Sequence, residues 1–200
     1  MSVATSSLPA AEMPGPALLA LAASLTFYLL SLLGTYRPPA LVTGAVLVCG
    51  AAVQLLYGLR SQQKGDPQAA ATLLPFGIFW LSLISYDIFP ELGFGRHPNA
   101  ITMFSFLSLW GLFVAILFLG SFRRSVAVQT FYGALMCSLL ALSMNHLRND
   151  QVFLVLGCLC GFLAALAATY IAVAQTVNDC AGRKVLPLGY DENLATEESD

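Results

Sequence analysis

Six apolar runs divide the chain: Pro16 to Leu33, Pro39 to Leu59, Ala71 to Phe89, Ile101 to Gly120, Val126 to Leu147 and Val152 to Gln175. Each is close to the roughly 20 residues a helix needs to cross the hydrocarbon core of a bilayer. The stretches between them are short and polar or chain-breaking: Gly34 to Pro38, Arg60 to Ala70, Pro90 to Ala100, Ser121 to Ser125 and Arg148 to Gln151. None has room for a soluble domain. A membrane-spanning β-barrel would alternate apolar and polar positions, whereas these runs are apolar on every face, which suits helices that close their own backbone bonds. The pattern predicts an all-α polytopic membrane protein, a bundle of six transmembrane helices over residues 16–178. An N-terminal tail, 1–15, and a C-terminal tail, 179–200, flank it, the latter acidic and expected to be disordered after about residue 189.

Composition removes the alternatives. Hydrophobic residues make up 58% of the 200 positions and charged residues 10%, with a mean hydropathy of +0.75. A soluble domain carries roughly 25% charged residues, so this chain cannot cover a water-facing surface and its solvent is lipid. The net charge is −2 and the Lys and Arg residues are thinly spread, so no basic stripe follows a phosphate backbone and nucleic acid is excluded as a partner. Cys49, Cys137, Cys158, Cys160 and Cys180 form no CxxC pair and mostly lie in apolar runs, as packing thiols do. The first residues lack the basic start and cleavage site of a signal peptide, so the first helix is expected to be retained. On the side of the termini lie Arg60, Lys64, Arg123, Arg124, Arg183 and Lys184, against Arg37, Arg96 and Arg148 on the other. That excess predicts both termini in the cytoplasm.

The spans carry little obvious chemistry. Asp87 lies near the end of the third run and reads as interfacial, and no Lys or Arg sits at the centre of a span. His97 and His146 are too scattered for a metal site, and no serine has a visible base and orienting acid, so no catalytic residue, metal or cofactor is expected. Gly157 and Gly161 form a GxxxG that suits close helix packing within the subunit or between subunits. Two patterns stand out. Gly50, Gln54 and Gly58 recur every fourth residue and share a helix face suited to lining a narrow path. Phe76, Phe79, Trp80 and Leu83 share another face, which fits either core packing or a hydrophobic constriction that gates by excluding water.

Several stretches resemble the acetate uptake transporter family, whose bacterial members are the succinate-acetate permeases. Tyr170 to Asn178, followed by Gly182-Arg183-Lys184-Val185-Leu186-Pro187-Leu188-Gly189, is similar to its closing GRxVLPxG segment. Phe76-Gly77-Ile78-Phe79-Trp80-Leu81 resembles its YGSFWL stretch, and Pro98-Asn99-Ala100 and Leu109-Trp110-Gly111 resemble its PNA and LWG signatures. Gln54, Gly58-Leu59 and Lys64-Gly65 fall at the matching spacing. The family's NPAPLGL hallmark appears as Met13-Pro14-Gly15-Pro16-Ala17-Leu18-Leu19, with both prolines kept and the asparagine and inner glycine replaced. The resemblance implies a homo-oligomeric ring, a hexamer, in the cell membrane, with a pathway for acetate or succinate through each protomer. It places the constriction at Phe76, Leu135 and Ala22, with Phe76 lacking the tyrosine hydroxyl and Ala22 lacking the bulky ring of relatives.

A bare carboxylate at mid-membrane costs about 2.5–3.5 kcal/mol even on insertion scales, and no central cation offsets it here. The expected passenger is therefore the neutral acid or a closely hydrogen-bonded anion, moved in a proton-linked way. Pro14, Gly15 and Pro16 at the start of the first helix are the expected access site, where free amides attract anions. Gln54 and Phe79 are the expected binding residues deeper in. Two other classes fit the same residues: a six-helix sensor or assembly subunit that does not transport, and a channel for a small neutral solute such as ammonia.

Overall fold

The computed structural model describes residues 13–122, 124–183 and 185–189. The expectations for the outer parts of both tails, and the contributions of Arg123 and Lys184 to the charge count, lie outside the described residues. Six long helices are present: α1 Gly15–Leu32, α2 Ala40–Gln63, α3 Pro67–Glu91, α4 Ala100–Gly120, α5 Val126–Arg148 and α6 Gln151–Ala181. Each is long and apolar enough to cross a membrane, and no strand occurs among the described residues.

The helix ends follow local chemistry more than hydropathy. α3 starts at Pro67, inside the polar stretch, because Asp66 caps it: the carboxylate accepts from the Ala69 amide at 3.1 Å, and proline suits the first helical position. Asn99 caps α4 by accepting from the Thr102 amide at 2.8 Å, and Asp150 caps α6 through the Val152 amide at 2.9 Å. α5 ends on Asn149 and α6 on Gly182, both in the left-handed conformation that stops a helix. α2 and α6 run on past their apolar runs, to Gln63 and Ala181. The loop between α2 and α3 shrinks accordingly to three residues, 64–66.

Within lipid, apolar burial does not favour one helix contact over another, so close approach of small residues decides packing. α1 packs on α2, α2 on α3, α4 on α5, α5 on α6, and α6 closes back on α1. Aromatic rings seal the seam between α3 and α4: Phe79 stacks on Phe106 with planes 8° apart, and Phe76 stacks on Trp110 at 6.4 Å. The GxxxG pair packs within the subunit. A methyl group at Gly157 would strike Leu142, and one at Gly161 would strike Leu29 and Ser138. On the face of α2 that carries Gly50, Gln54 and Gly58, the two glycines allow close packing. Gly50 lies against Ser24 of α1 and Gly58 against Leu74 of α3, with no room for a side chain at either.

Segment 185–189 straps the side of the bundle where the termini lie. The Asn178 side chain accepts from the Val185 and Leu186 amides at 2.7 and 2.9 Å and donates to the Leu186 carbonyl at 3.0 Å. The Tyr170 hydroxyl donates to the Pro187 carbonyl, and the Val126 amide donates to the Gly189 carbonyl at 2.9 Å. Leu188 is thereby pressed into the core.

Candidate functional site

The helices surround a cavity of about 20 Å³, room for about one water. Its lining follows from helical periodicity. Leu21, Leu25 and Tyr28 form one face of α1, while Leu135, Ser138, Leu139 and Leu142 form one face of α5. α3 contributes Phe76, Phe79 and Trp80, and α4 contributes Leu107. The walls are almost wholly carbon. Three polar atoms belong to lining residues: the Tyr28 hydroxyl, the Ser138 hydroxyl and the Trp80 indole N–H. Ser138 donates to the Gly157 carbonyl at 2.7 Å, whereas Trp80 Nε1 is buried with no hydrogen-bond partner among the described residues.

Toward the side of the termini lies a second buried group. Thr72 and Tyr132, both fully buried, share a hydrogen bond of 2.6 Å, and Tyr132 also lies 3.8 Å from the sulfur of Met13. Met13, which stands at the asparagine position of the NPAPLGL hallmark, thus presents a weak acceptor to a phenol.

A family model described as the GPR1/FUN34/yaaH family matches residues 2–182. The chain belongs to the GPR1/FUN34/yaaH family. The resemblance read from its motifs is borne out. The succinate-acetate/proton symporter SatP of Escherichia coli (strain K12) is 27% identical over 140 residues, 70% of this chain and 74% of that protein. An uncharacterized protein of Methanothermobacter thermautotrophicus is 24% identical over 145 residues, 69% of this chain and 71% of that one. A solved structure described as the bacterial acetate channel SatP superposes with a TM-score of 0.82, covering 88% of this chain and 97% of that one. At 24% identity, that likeness establishes the fold.

Within this GPR1/FUN34/yaaH member, the structure sorts the residues singled out from the sequence. Phe76, Phe79 and Leu135 meet on the central cavity, and Phe76 and Phe79 are nearly fully buried. Ala22 does not join them. Its methyl group lines an open groove with Leu19, Ala23, Thr26, Phe27 and Leu30 of α1 and Thr169 of α6, and Leu21, one residue earlier, faces the cavity instead. Gln54 also lies off the cavity lining; it is fully buried, and neither amide atom has a partner among the described residues. The start of α1 offers less to an anion than its position suggests. Pro14 and Pro16 have no amide hydrogen, and the Ala17 and Leu18 amides both donate to the Pro14 carbonyl, at 3.0 and 3.2 Å. The turn is left with at most the Gly15 amide.

Asp87, expected at the membrane interface, has a partner that the sequence did not show. It sits half-buried in a π turn, Ile84–Ile88, and its Oδ2 accepts from the Tyr28 hydroxyl at 3.1 Å. The signal was present in the spacing, because Asp87 lies two helical turns beyond Trp80 and Tyr28 two turns beyond Leu21.

Proposed function

We propose that the protein moves acetate, and other small carboxylates such as succinate, across a cell membrane, with the acid crossing the bundle in neutral form and one proton travelling with it. The observation that carries this reading is the narrow carbon-walled cavity at the centre of a bundle with the family's architecture. An ionised carboxylate there exchanges its hydration shell for Leu21, Phe76, Leu135 and Leu139, at several kcal/mol. The protonated acid needs only one or two hydrogen-bond partners, and the free Trp80 N–H is placed to serve as a donor.

Phe76 and Leu135, with Leu21 in place of Ala22, form the constriction in this reading, and Phe79 and Trp80 form its binding wall. Pro14, Gly15 and Pro16 form the mouth on the side of the termini, which we place in the cytoplasm. The unpaired amide of Gln54 is held in reserve for the substrate. Assembly as a homo-oligomeric ring belongs to the same reading, and the open groove at Ala22, Thr26 and Thr169 supplies a surface for a neighbouring subunit.

Uptake of labelled acetate and succinate into proteoliposomes, at several external pH values, tests the substrate and its proton link together. Uptake should rise as external pH falls and be competed by unlabelled acetate. A rate indifferent to pH would sink the neutral-acid route.

A further inference from the structure

Three titratable side chains meet at the end of the cavity away from the termini. α1, α3 and α5 run in the same direction, so their last turns lie on the same side. Each carries one such residue two helical turns beyond a cavity-lining residue: Tyr28 beyond Leu21, Asp87 beyond Trp80, and His146 beyond Leu139. Tyr28 is itself a wall of the cavity, and its hydroxyl holds Asp87 at 3.1 Å, so the carboxylate sits next to the path rather than behind it.

The backbone is shaped around Asp87. The π turn Ile84–Ile88 inserts an extra residue into α3 at this point, a rare distortion that frequently occurs at functional sites. Gly44 of α2 lies close against Ile88 of the turn, where a methyl group would come within 3.1 Å of the Ile88 side chain. The titratable groups whose charges reach Asp87 are Tyr28 from α1, which bonds it, and more distantly His146 from α5, His97 from the loop before α4, and Glu91 from its own helix. His97 and Glu91 pair with each other at 3.5 Å on the exposed rim. Asp87 thus lies between the cavity wall at Tyr28 and the exposed rim where His97 and Glu91 pair.

Building on the transport reading above, we propose that Asp87 is the proton donor to the transported carboxylate, making the far mouth of the cavity a binding and protonation site for small carboxylate anions. Protonated Asp87 gives its proton to a carboxylate oxygen of the arriving anion. The O–H bond on Asp87 breaks, one forms on the substrate, and the neutral acid enters the cavity past Tyr28 and Trp80. Asp87, left ionised, takes a new proton from the water on the same side. Tyr28 holds the carboxylate in place between turnovers. One proton leaves the far side for each acid that crosses.

The test is uptake of labelled acetate by the full-length protein in proteoliposomes, at constant total acetate and external pH from about 5.5 to 8, for wild type, D87N, D87E and Y28F. Wild-type uptake should level off at the acidic end, once proton delivery on the protein no longer limits the rate. D87N must wait for free acetic acid, so its rate should climb about tenfold per pH unit without levelling, as the neutral fraction of a carboxylic acid does above its pKa. At neutral pH it should fall on the order of a hundredfold below wild type, the usual worth of a positioned proton donor. D87E should restore the plateau, and Y28F should move the pH at which it ends. A D87N profile that overlays wild type, or a D87E variant that fails to restore the plateau, would overturn this proposal alone. Absence of wild-type uptake above empty liposomes would overturn the transport reading, and this proposal with it.

Discussion

Replacing Phe76 by alanine removes the ring that packs among Phe79, Trp110 and Phe113 and forms one wall of the cavity. The cavity has room for about one water, and the lost ring is several times larger than the roughly 30 Å³ that a water occupies in the liquid. Water then enters the path. In the native protein the anion is held back by about 2.5–3.5 kcal/mol, the insertion-scale penalty for a carboxylate at mid-membrane. At 1.36 kcal/mol per decade, that is a factor of about 70–400 against the anion. Hydrating the constriction removes most of this factor, so anion flux in Phe76→Ala should rise by one to two orders of magnitude.

The assay is labelled acetate uptake at pH 8, where the acid is almost all ionised, with a potassium diffusion potential imposed in either direction. Wild-type uptake should be slow and indifferent to the potential, because a neutral species carries no charge. Phe76→Ala should be faster, driven by an inside-positive potential and opposed by an inside-negative one. The substitution also costs stability, about 3–5 kcal/mol for a buried phenylalanine, so a thermal melt in detergent must show that the variant is folded. A folded variant that stays slow and indifferent to potential would refute the idea that dehydration at Phe76 sets the barrier.

Three further outcomes follow from the packing. Gly50→Ala places a methyl group on Ser24 of α1 and should lower stability by about 1–3 kcal/mol, the usual cost of overpacking, read as a lower melting temperature in detergent. Asn178→Ala removes three hydrogen bonds to the strap at Val185 and Leu186; at about 0.5–1.5 kcal/mol each, the strap should loosen and become a site of limited proteolysis, whereas unchanged protection would show that Leu188 burial alone holds it. Gln54→Leu replaces an unpaired buried amide, so it should stabilise the fold by about 1–3 kcal/mol while lowering acetate uptake, and a stabilised variant with full uptake would assign Gln54 no part in transport.

The architecture was legible because lipid imposes one rule on every residue of a span: each apolar run is a helix and each short polar break is a turn. Helix ends were less legible, since hydropathy reports where lipid lies and not where a helix stops. Asp66 carries α3 outward from the apolar run, and α6 continues through Thr176 and Asn178 to reach the strap. Of the aromatic face of α3, Phe76, Phe79 and Trp80 line the cavity with Leu135, whereas Leu83 does not. Ala22 was carried over from the resemblance, but its single methyl group does not reach the cavity, and Leu21 takes that wall. The partner of Asp87 was not legible for a different reason. A carboxylate near the end of an apolar run reads as interfacial until its partner is known, and Tyr28 lies 59 residues away in sequence. Nothing in the spacing announces the π turn, which the backbone adopts where Ile88 meets Gly44 of α2.

The most direct test of the account is initial uptake of labelled acetate by the purified protein in proteoliposomes, with and without an inward proton gradient, against empty liposomes at the same gradient. The account predicts uptake above the empty-liposome rate, stimulated by the gradient and unaffected by membrane potential. Uptake no faster than in empty liposomes, from protein with an intact melting transition, would contradict it.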